Sequence, residues 1–203
     1  MSSNCKNKVF TRDQINKIGN TIIYLSEKIP DLNKTKILKL LFLLEEASIK
    51  KYGHPFFAID FQLWKHGPVA KDIFIDLSDE NPILLNDFIE RDPRNLSNFK
   101  PKKEFCDDEF SENDLALMNI VTNFAYNKSA SYLVTHTHGI NSLWRKSAIQ
   151  YGILELLEKE LINSTELEID FRLLFDSPTI PSWLKERYEE SKENMEFIKH
   201  LKR

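Results

Sequence analysis

The sequence predicts a mainly α-helical protein, a compact helical domain with a small β element that places it at the margin of the α+β class. Two stretches begin with helix-capping patterns, at Thr11 and at Ser111, and continue with apolar residues at helical spacing. Residues 37–44 are apolar at seven of eight positions, which is typical of a buried central helix. Only two short stretches, 57–63 and 167–173, alternate between apolar and other residues as a half-buried strand does.

Length and composition limit the organisation and the function. The chain has 203 residues, 41% of them hydrophobic, with 14 phenylalanines, which is enough for one domain with an extension. We expect an N-terminal helix within 1–32 packed on the domain, the domain itself over 33–160, and a C-terminal extension over 161–203. The net charge of −3 disfavours broad nucleic-acid binding. Two distant cysteines, Cys5 and Cys106, favour a reducing, cytoplasmic setting, and we expect neither a signal peptide nor a membrane span.

The first half of the chain predicts two long helices. Thr11 and Gln14 form a capping box for a helix that runs to about Lys28. The second helix runs from about Asn33 to Tyr52, where Gly53 ends it. An extended segment follows at 57–63.

Residues 63–69 hold the most distinctive local pattern, with Trp64, Gly67 and Pro68 within five positions. Gly67 can adopt a positive φ, and Pro68 is favoured at the first position of a helix. The pattern therefore predicts a sharp stop after the extended segment and a new helix from Val69, with Trp64 as the anchor of the corner.

The second half predicts shorter elements. Residues 81–110 are expected to form a loop with a short hairpin. Ser111, with Asp114 in the first turn, begins a helix, and a short helix starts at Ser129. A further helix is expected over 153–162, and a charged terminal helix over 183–203.

The histidines offer the main candidate for chemistry. His136 and His138 form a His-x-His pair, but residues two apart on a helix point to different sides, and the other candidate ligands, Cys106, His54 and His66, are distant in sequence. A metal-dependent hydrolase that uses the pair and an acidic residue is therefore the least favoured alternative. Phosphate-binding glycine loops and a Gly-x-Ser-x-Gly elbow are absent from the sequence, so we expect no enzyme activity and no cofactor. We expect His138 instead to cap helix carbonyls and to hold the loop that leads to Trp144.

Several short motifs, taken in order, resemble the Panacea domain, also called the SocA-like antitoxin domain. The resemblance covers roughly residues 33–150. It rests on a Lys-Leu-Leu-aromatic helix, a Gly-x-Pro turn, a Trp-x-x-Gly-Pro-Val corner, and a downstream Ser-Ala, Thr-His and Trp series. In this chain the motif residues are Lys39, Leu40, Leu41, Phe42, Gly53, Pro55, Trp64, Gly67, Pro68, Val69, Ser129, Ala130, Thr137, His138 and Trp144. The family often has Pro immediately before the last Trp, where this chain has Leu143.

The resemblance implies a mostly helical scaffold with a small β element, and an antitoxin that is typically encoded beside a toxin gene. Toxins paired with this family include alarmone-synthetase-like enzymes that modify tRNA or nucleotides. We therefore expect a cytoplasmic antitoxin of bacterial or phage origin that neutralises the product of the adjacent gene by direct protein–protein binding. The motif residues would hold the scaffold.

Exposed segments would then contact the toxin. Residues 81–110 and the terminal helix are the candidate surfaces, with Trp183, Arg187 and Tyr188 as anchors, since interfaces favour aromatic and Arg side chains. The alternative is a nucleic-acid-binding transcriptional regulator, which the basic clusters at 100–103 and 199–203 would serve, although the negative net charge opposes it. The oligomeric state stays open.

Overall fold

Helices make up most of the regular structure, as the sequence predicts. The structure, a computed structural model, describes residues 10–80 and 82–201, with side chains up to residue 198. Cys5, Lys202 and Arg203 lie outside the described residues. The helices are α1 (Arg12–Lys28), α2 (Lys34–Tyr52), α3 (Lys71–Asp76), α4 (Glu112–Ala125), α5 (Ala130–Thr137), α6 (Leu143–Gln150), α7 (Leu154–Glu158) and α8 (Ser182–Leu201), with a 3₁₀-helix at Phe171–Asp176. The strands are β1 (Gln62–Trp64), β2 (Gly67–Val69), β3 (Ile89–Asp92) and β4 (Asn95–Pro101).

Local capping determines where α1 and α4 begin. The Thr11 side chain accepts from the Gln14 N–H, and the Gln14 side chain accepts from the Thr11 N–H. Ser111 and Asp114 make the same reciprocal pair at α4. Both capping predictions are confirmed, because the donors at a helix start need acceptors that these side chains supply at short range.

Helix α2 lies at the centre of the protein. Its apolar run is buried nearly all round, and it packs against β2, β4, α3, α4, α5 and α8. Asn33 caps its start, and Gly53 ends it in a left-handed conformation with φ of +67°. A Cβ on Gly53 would lie 2.9 Å from the Leu184 carbonyl oxygen of α8, so this position requires glycine for both conformation and space.

The β element consists of two antiparallel hairpins. β1 pairs with β2, and β3 pairs with β4, which confirms the hairpin predicted within 81–110. A later stretch runs along the other edge of β1, where the Leu63 N–H donates to the Leu167 carbonyl at 2.9 Å and the Ile169 N–H donates to the Phe61 carbonyl at 2.7 Å. The segment after α7 is therefore tied into the same β element.

The prediction of a helix start at Gly67-Pro68 was wrong. Gly67 has φ of +98°, but it follows the turn at 65–66 and begins β2, where Pro68 pairs in register with Leu63. The helix begins only at Lys71. Pairing with β1 overrides the local preference of Pro for a helix start, and the missing N–H of Pro is tolerated at the edge of a sheet.

Two further boundaries differ from the predictions. The helix expected over 153–162 ends at Glu158, and the chain then turns through Glu160, which has φ of +59°. The alternation expected to extend over 167–173 ends near Ile169, after which Asp170 caps the 3₁₀-helix. Leu157 and Ile169 still pack in the core, whereas Leu161 is 67% exposed. Tertiary contacts, and not the apolar pattern alone, decide the backbone shape in both places.

Helix α8 confirms the predicted terminal helix over its described length. Leu184 and Tyr188 in its first half are each 3% exposed, whereas Phe197 and Ile198 near its end are 63% and 49% exposed. The first half therefore belongs to the core, and the second half presents apolar side chains to solvent. No helix in the described part of the chain has the length and apolar character to cross a membrane.

Candidate functional site

The motif residues converge on a corner where α2, β2 and α5 meet. Lys39, from the buried face of α2, is 2% exposed, and its Nζ donates to the Pro68 carbonyl at 2.9 Å. Burial lowers the pKa of Lys39 to about 7. A buried lysine favours its neutral amine form unless a negative charge is near. The contact therefore holds β2 against α2, but burying the charged form of Lys39 costs free energy.

Gly67 allows this close approach. A Cβ at Gly67 would lie 2.8 Å from Lys39 Nζ and 3.1 Å from the Thr137 hydroxyl. The backbone of β2 therefore fills the space between α2 and α5, and glycine is needed here both for its positive φ and for its small volume.

His138 closes the corner from the end of α5. It is the C-cap residue, with Nδ1 2.8 Å from the Val134 carbonyl oxygen and Nε2 3.0 Å from the Lys65 carbonyl oxygen. Burial, and then the nearby Lys39 charge, lower the pKa of His138, although the two carbonyl oxygens favour its protonated form. The contact with the Val134 carbonyl agrees with the expected capping of helix α5. The other ring nitrogen holds the β1–β2 turn and not the following loop that was expected.

Trp144 completes the corner from α6. Its Nε1 donates to the Trp64 carbonyl at 3.0 Å, and its ring lies edge-on to His138 at 4.2 Å. Leu143, which stands where the family often has Pro, is the first residue of α6 and is 1% exposed. That position favours Pro, and here the leucine side chain packs in the core.

The other motif residues serve the core or helix ends. Ser129 accepts from the Tyr132 N–H as the N-cap of α5, whose first residue is Ala130. The remaining apolar members, Leu40, Leu41, Phe42 and Val69, are buried, and Pro55 is half-buried after the α2 stop. The polar atoms of the corner are directed at main-chain groups of the same chain, so its geometry supports a structural role.

Glu45 is the residue that sequence reasoning missed. It is 2% exposed and accepts from the Phe56 N–H at 3.0 Å and the Phe57 N–H at 2.7 Å. Burial raises the pKa of Glu45 to about 7, although the hydrogen bonds that it accepts from the main-chain N–H groups favour its ionised form. The usable signal was its spacing, because Glu45 lies four residues from both Leu41 and Ile49, two apolar positions on the same buried face of α2.

The His-x-His pair serves packing and hydrogen bonding. His136 lies 5.0 Å from the Phe124 ring and stacks on Tyr132, while His138 is held by the two carbonyl groups of the corner. Among the described side chains, no group of three or more His, Cys, Asp or Glu is arranged to hold a metal ion.

The candidate anchors of α8 divide between surface and core. Trp183 is 52% exposed and Arg187 is exposed. Tyr188 is buried, with its ring 5.6 Å from Phe175, so it is a core residue in this structure rather than an accessible anchor. In the other candidate segment, Ile83 and Leu96 are 84% and 70% exposed.

Comparison with protein families decides the relationship that the motifs suggest. The family model described as antitoxin SocA-like, Panacea domain, matches residues 37–145, which span α2 to the start of α6 and include the whole corner. The chain belongs to this family. Comparison with curated proteins and with solved structures gave no match. The Panacea match begins after α1 and ends before α8, so α8 lies outside the family's common domain.

Proposed function

We propose that the protein is an antitoxin that neutralises a cognate toxin by direct protein–protein binding. The observation that carries this proposal is membership of the SocA-like antitoxin family over residues 37–145. The inward-directed polar atoms of the corner agree with a scaffold whose outer surfaces bind the partner. Within the proposal the domain proper spans 33–160, with 1–32 as a helix packed on it and 161–203 as an extension.

The partner in this proposal is the product of the adjacent gene. An alarmone-synthetase-like or tRNA-modifying enzyme is the toxin class that the family resemblance favours. We place the complex in the cytoplasm of a bacterium or of a phage-infected cell. Because one fold can serve many partners, the toxin-binding surface must lie outside the shared corner.

The outer face of α8 is the surface that we propose for toxin binding. Trp183, Arg187 and Phe197 lie on one side of α8, and Trp183 and Phe197 are 52% and 63% exposed. Leu184 and Tyr188 pack the first half of the helix on the core, so the exposed face is held in a fixed orientation relative to the domain. An exposed helix face with apolar anchors suits insertion into a groove of a partner.

A growth assay tests the function. The adjacent open reading frame is induced in bacteria with and without this protein, and the two products are then purified together. We expect arrest by the neighbour alone, rescue on co-expression and a stable complex. Toxicity without rescue, or rescue without a complex, contradicts neutralisation by direct binding.

Matched variants test the surface. We expect the double variant Trp183→Ala with Phe197→Ala to lose rescue and complex formation. The control is the double variant Ile140→Ala with Ile149→Ala, which removes side chains that are 83% and 59% exposed elsewhere. Equal rescue by both double variants would remove α8 from the interface.

A further inference from the structure

A groove lies on the side of the protein where the first turns of α2 and α5 approach the β3–β4 hairpin. Its volume is about 790 Å³. It is formed by residues from four separate parts of the chain, among them Asn33, Lys34, Glu80, Arg91, Leu96 and Ala130. We refer to it as the α2–hairpin groove.

Two cations are held close together in this groove. Lys34 Nζ lies 4.4 Å from the centre of the Phe74 ring and donates to the Ser78 hydroxyl. The Arg91 guanidinium lies 4.3 Å from the centre of the Phe99 ring and donates to the Leu77 carbonyl. Aromatic faces and neutral oxygens thus fix both groups without neutralising either charge.

The electrostatics of Lys34 show that the two charges act on each other. Burial and then the positive charge of Arg91 lower the pKa of Lys34. Two like charges held in fixed positions repel, and an anion placed between or beside them relieves that repulsion.

The helix ends add to the positive potential. The first turn of α2 contains Lys34 and Lys36 but no acidic residue, and Lys36 pairs with Asp31, which leaves Lys34 facing the groove. A helix start favours negative side chains, so a lysine here costs stability rather than adding to it. The first turn of α5 also borders the groove through Ala130. One carboxylate, that of the exposed Glu80, is among the lining residues and opposes this potential.

The groove also has an apolar wall. Leu96, near the start of β4, is 70% exposed and lines it. A free phosphate would make no use of this side chain, whereas a peptide segment that carries both acidic and apolar residues would contact the cations and the leucine together.

We propose that the α2–hairpin groove binds an acidic segment of the partner protein, with a carboxylate against Lys34 and Arg91 and an apolar side chain against Leu96. Where that partner is the toxin, the inference rests on the proposed function and adds a second contact surface to α8. The groove and α8 would then specify the partner by charge and by apolar contact, respectively.

The test uses the full chain and a short fluorescein-labelled peptide built from Glu, Leu and Ser, with binding followed by fluorescence anisotropy. The variant Lys34→Glu should bind the peptide roughly tenfold more weakly, and Glu80→Gln should bind it more tightly, because the first change adds a negative charge and the second removes one. The matched control is Lys51→Glu, the same substitution at the far end of the same helix, which should leave binding unchanged. A peptide with Gln in place of every Glu should not bind.

The structural role of Lys34 is separated from its binding role by thermal unfolding. The Lys34→Glu variant should unfold within a few degrees of the wild type, because the gain at the helix start offsets the lost contacts with Phe74 and Ser78. The proposal is overturned if the wild type does not bind the peptide, or if Lys34→Glu binds it equally well. It is also overturned if single-stranded RNA of equal charge binds better than the peptide, or if Lys34→Glu abolishes self-association of the chain; the groove would then be a nucleic-acid or homo-oligomer surface.

The growth assay separates this inference from the proposed function. If the wild type rescues growth, and Lys34→Glu weakens neither rescue nor peptide binding, the groove inference is wrong and the antitoxin proposal stands. If the wild type does not rescue growth but peptide binding keeps its dependence on Lys34, the antitoxin proposal fails alone.

Discussion

Lys39 and Glu45 are two buried ionisable side chains of α2, and each holds a different segment of the chain: Lys39 holds strand β2, and Glu45 holds the loop after α2. Lys39 donates to the single carbonyl of Pro68, whereas Glu45 accepts from the N–H groups of two successive residues, Phe56 and Phe57. Removing Lys39 leaves one carbonyl without its donor. Removing Glu45 leaves two buried donors without an acceptor, which costs more because an unsatisfied buried N–H keeps its full desolvation penalty. The loss of stability on removing a buried ionisable side chain therefore depends on how many main-chain groups it hydrogen-bonds, and not on its burial alone.

The largest expected effect breaks the Glu45 side of this comparison. Glu45→Ala should lower the free energy of unfolding by about 3–5 kcal/mol, because it removes the acceptor for two buried N–H groups and leaves a cavity. Urea denaturation followed by circular dichroism measures it. The control is Glu46→Ala, whose carboxylate pairs with the more exposed Lys50 and which should cost about 1 kcal/mol or less. Equal losses in the two variants would contradict the role assigned to Glu45.

The pH dependence of stability compares both residues in one experiment. Burial lowers the pKa of Lys39 from 10.5 to about 7, so its contribution to stability is present above pH 10.5 and is lost as the pH falls through 7. Burial raises the pKa of Glu45 from 4.5 to about 7, so its contribution is present below pH 4.5 and is lost as the pH rises through 7. The two contributions together should give a minimum near neutral pH, with about 3 kcal/mol to be gained on the acid side from Glu45 and about 5 kcal/mol on the alkaline side from Lys39.

Two variants separate the arms of that curve. Lys39→Met should flatten the rise on the alkaline side and leave the acid side unchanged. Glu45→Gln should flatten the acid side alone. Measurement of the free energy of unfolding by urea titration at a series of pH values checks this, and a wild-type curve whose alkaline arm survives in Lys39→Met would refute the assignment to Lys39.

The third effect concerns the space that Lys39 occupies. Gly67→Ala should destabilise by about 2–3 kcal/mol, because it adds a Cβ 2.8 Å from Lys39 Nζ at a residue with φ of +98°. Gly152→Ala is the matched control, since Gly152 has φ of +68° but no heavy atom within 4 Å of the added Cβ, so it should show the conformational cost alone, about 1 kcal/mol. Thermal unfolding of both variants is the measurement. A loss no greater at Gly67 than at Gly152 would show that Lys39 moves aside freely.

The smallest effect concerns Trp144, which completes the corner where α2, β2 and α5 meet. Trp144→Phe removes the hydrogen bond to the Trp64 carbonyl but keeps most of the buried ring, so it should cost about 1–2 kcal/mol. The exposed Trp183 offers a matched control, and Trp183→Phe should change the free energy of unfolding by less than about 0.5 kcal/mol. Chemical denaturation resolves the two, and an unchanged stability in Trp144→Phe would show that the indole N–H adds nothing to the corner.

Local chemistry made the helix boundaries of α1, α2 and α4 readable from the sequence. Thr11 with Gln14, and Ser111 with Asp114, satisfy helix-end donors within one turn, and Gly53 supplies the left-handed conformation that ends α2. The capping contact of His138 was also predictable, because a histidine that ends a helix has a helix carbonyl within reach, whereas its contact with the Lys65 carbonyl was not. These features depend on residues that are neighbours in the chain.

The sequence by itself therefore determined the helical class, the principal caps and the family motifs. Only the tertiary structure decided that Gly67 and Pro68 lie in a strand, that Glu45 serves a loop eleven residues further on, and that Tyr188 points into the core. It also brought Lys34 and Arg91 together from distant parts of the chain. The physical reason is that strand pairing, buried acceptors and charged grooves join residues far apart in sequence, and their energies override local propensity wherever the two conflict.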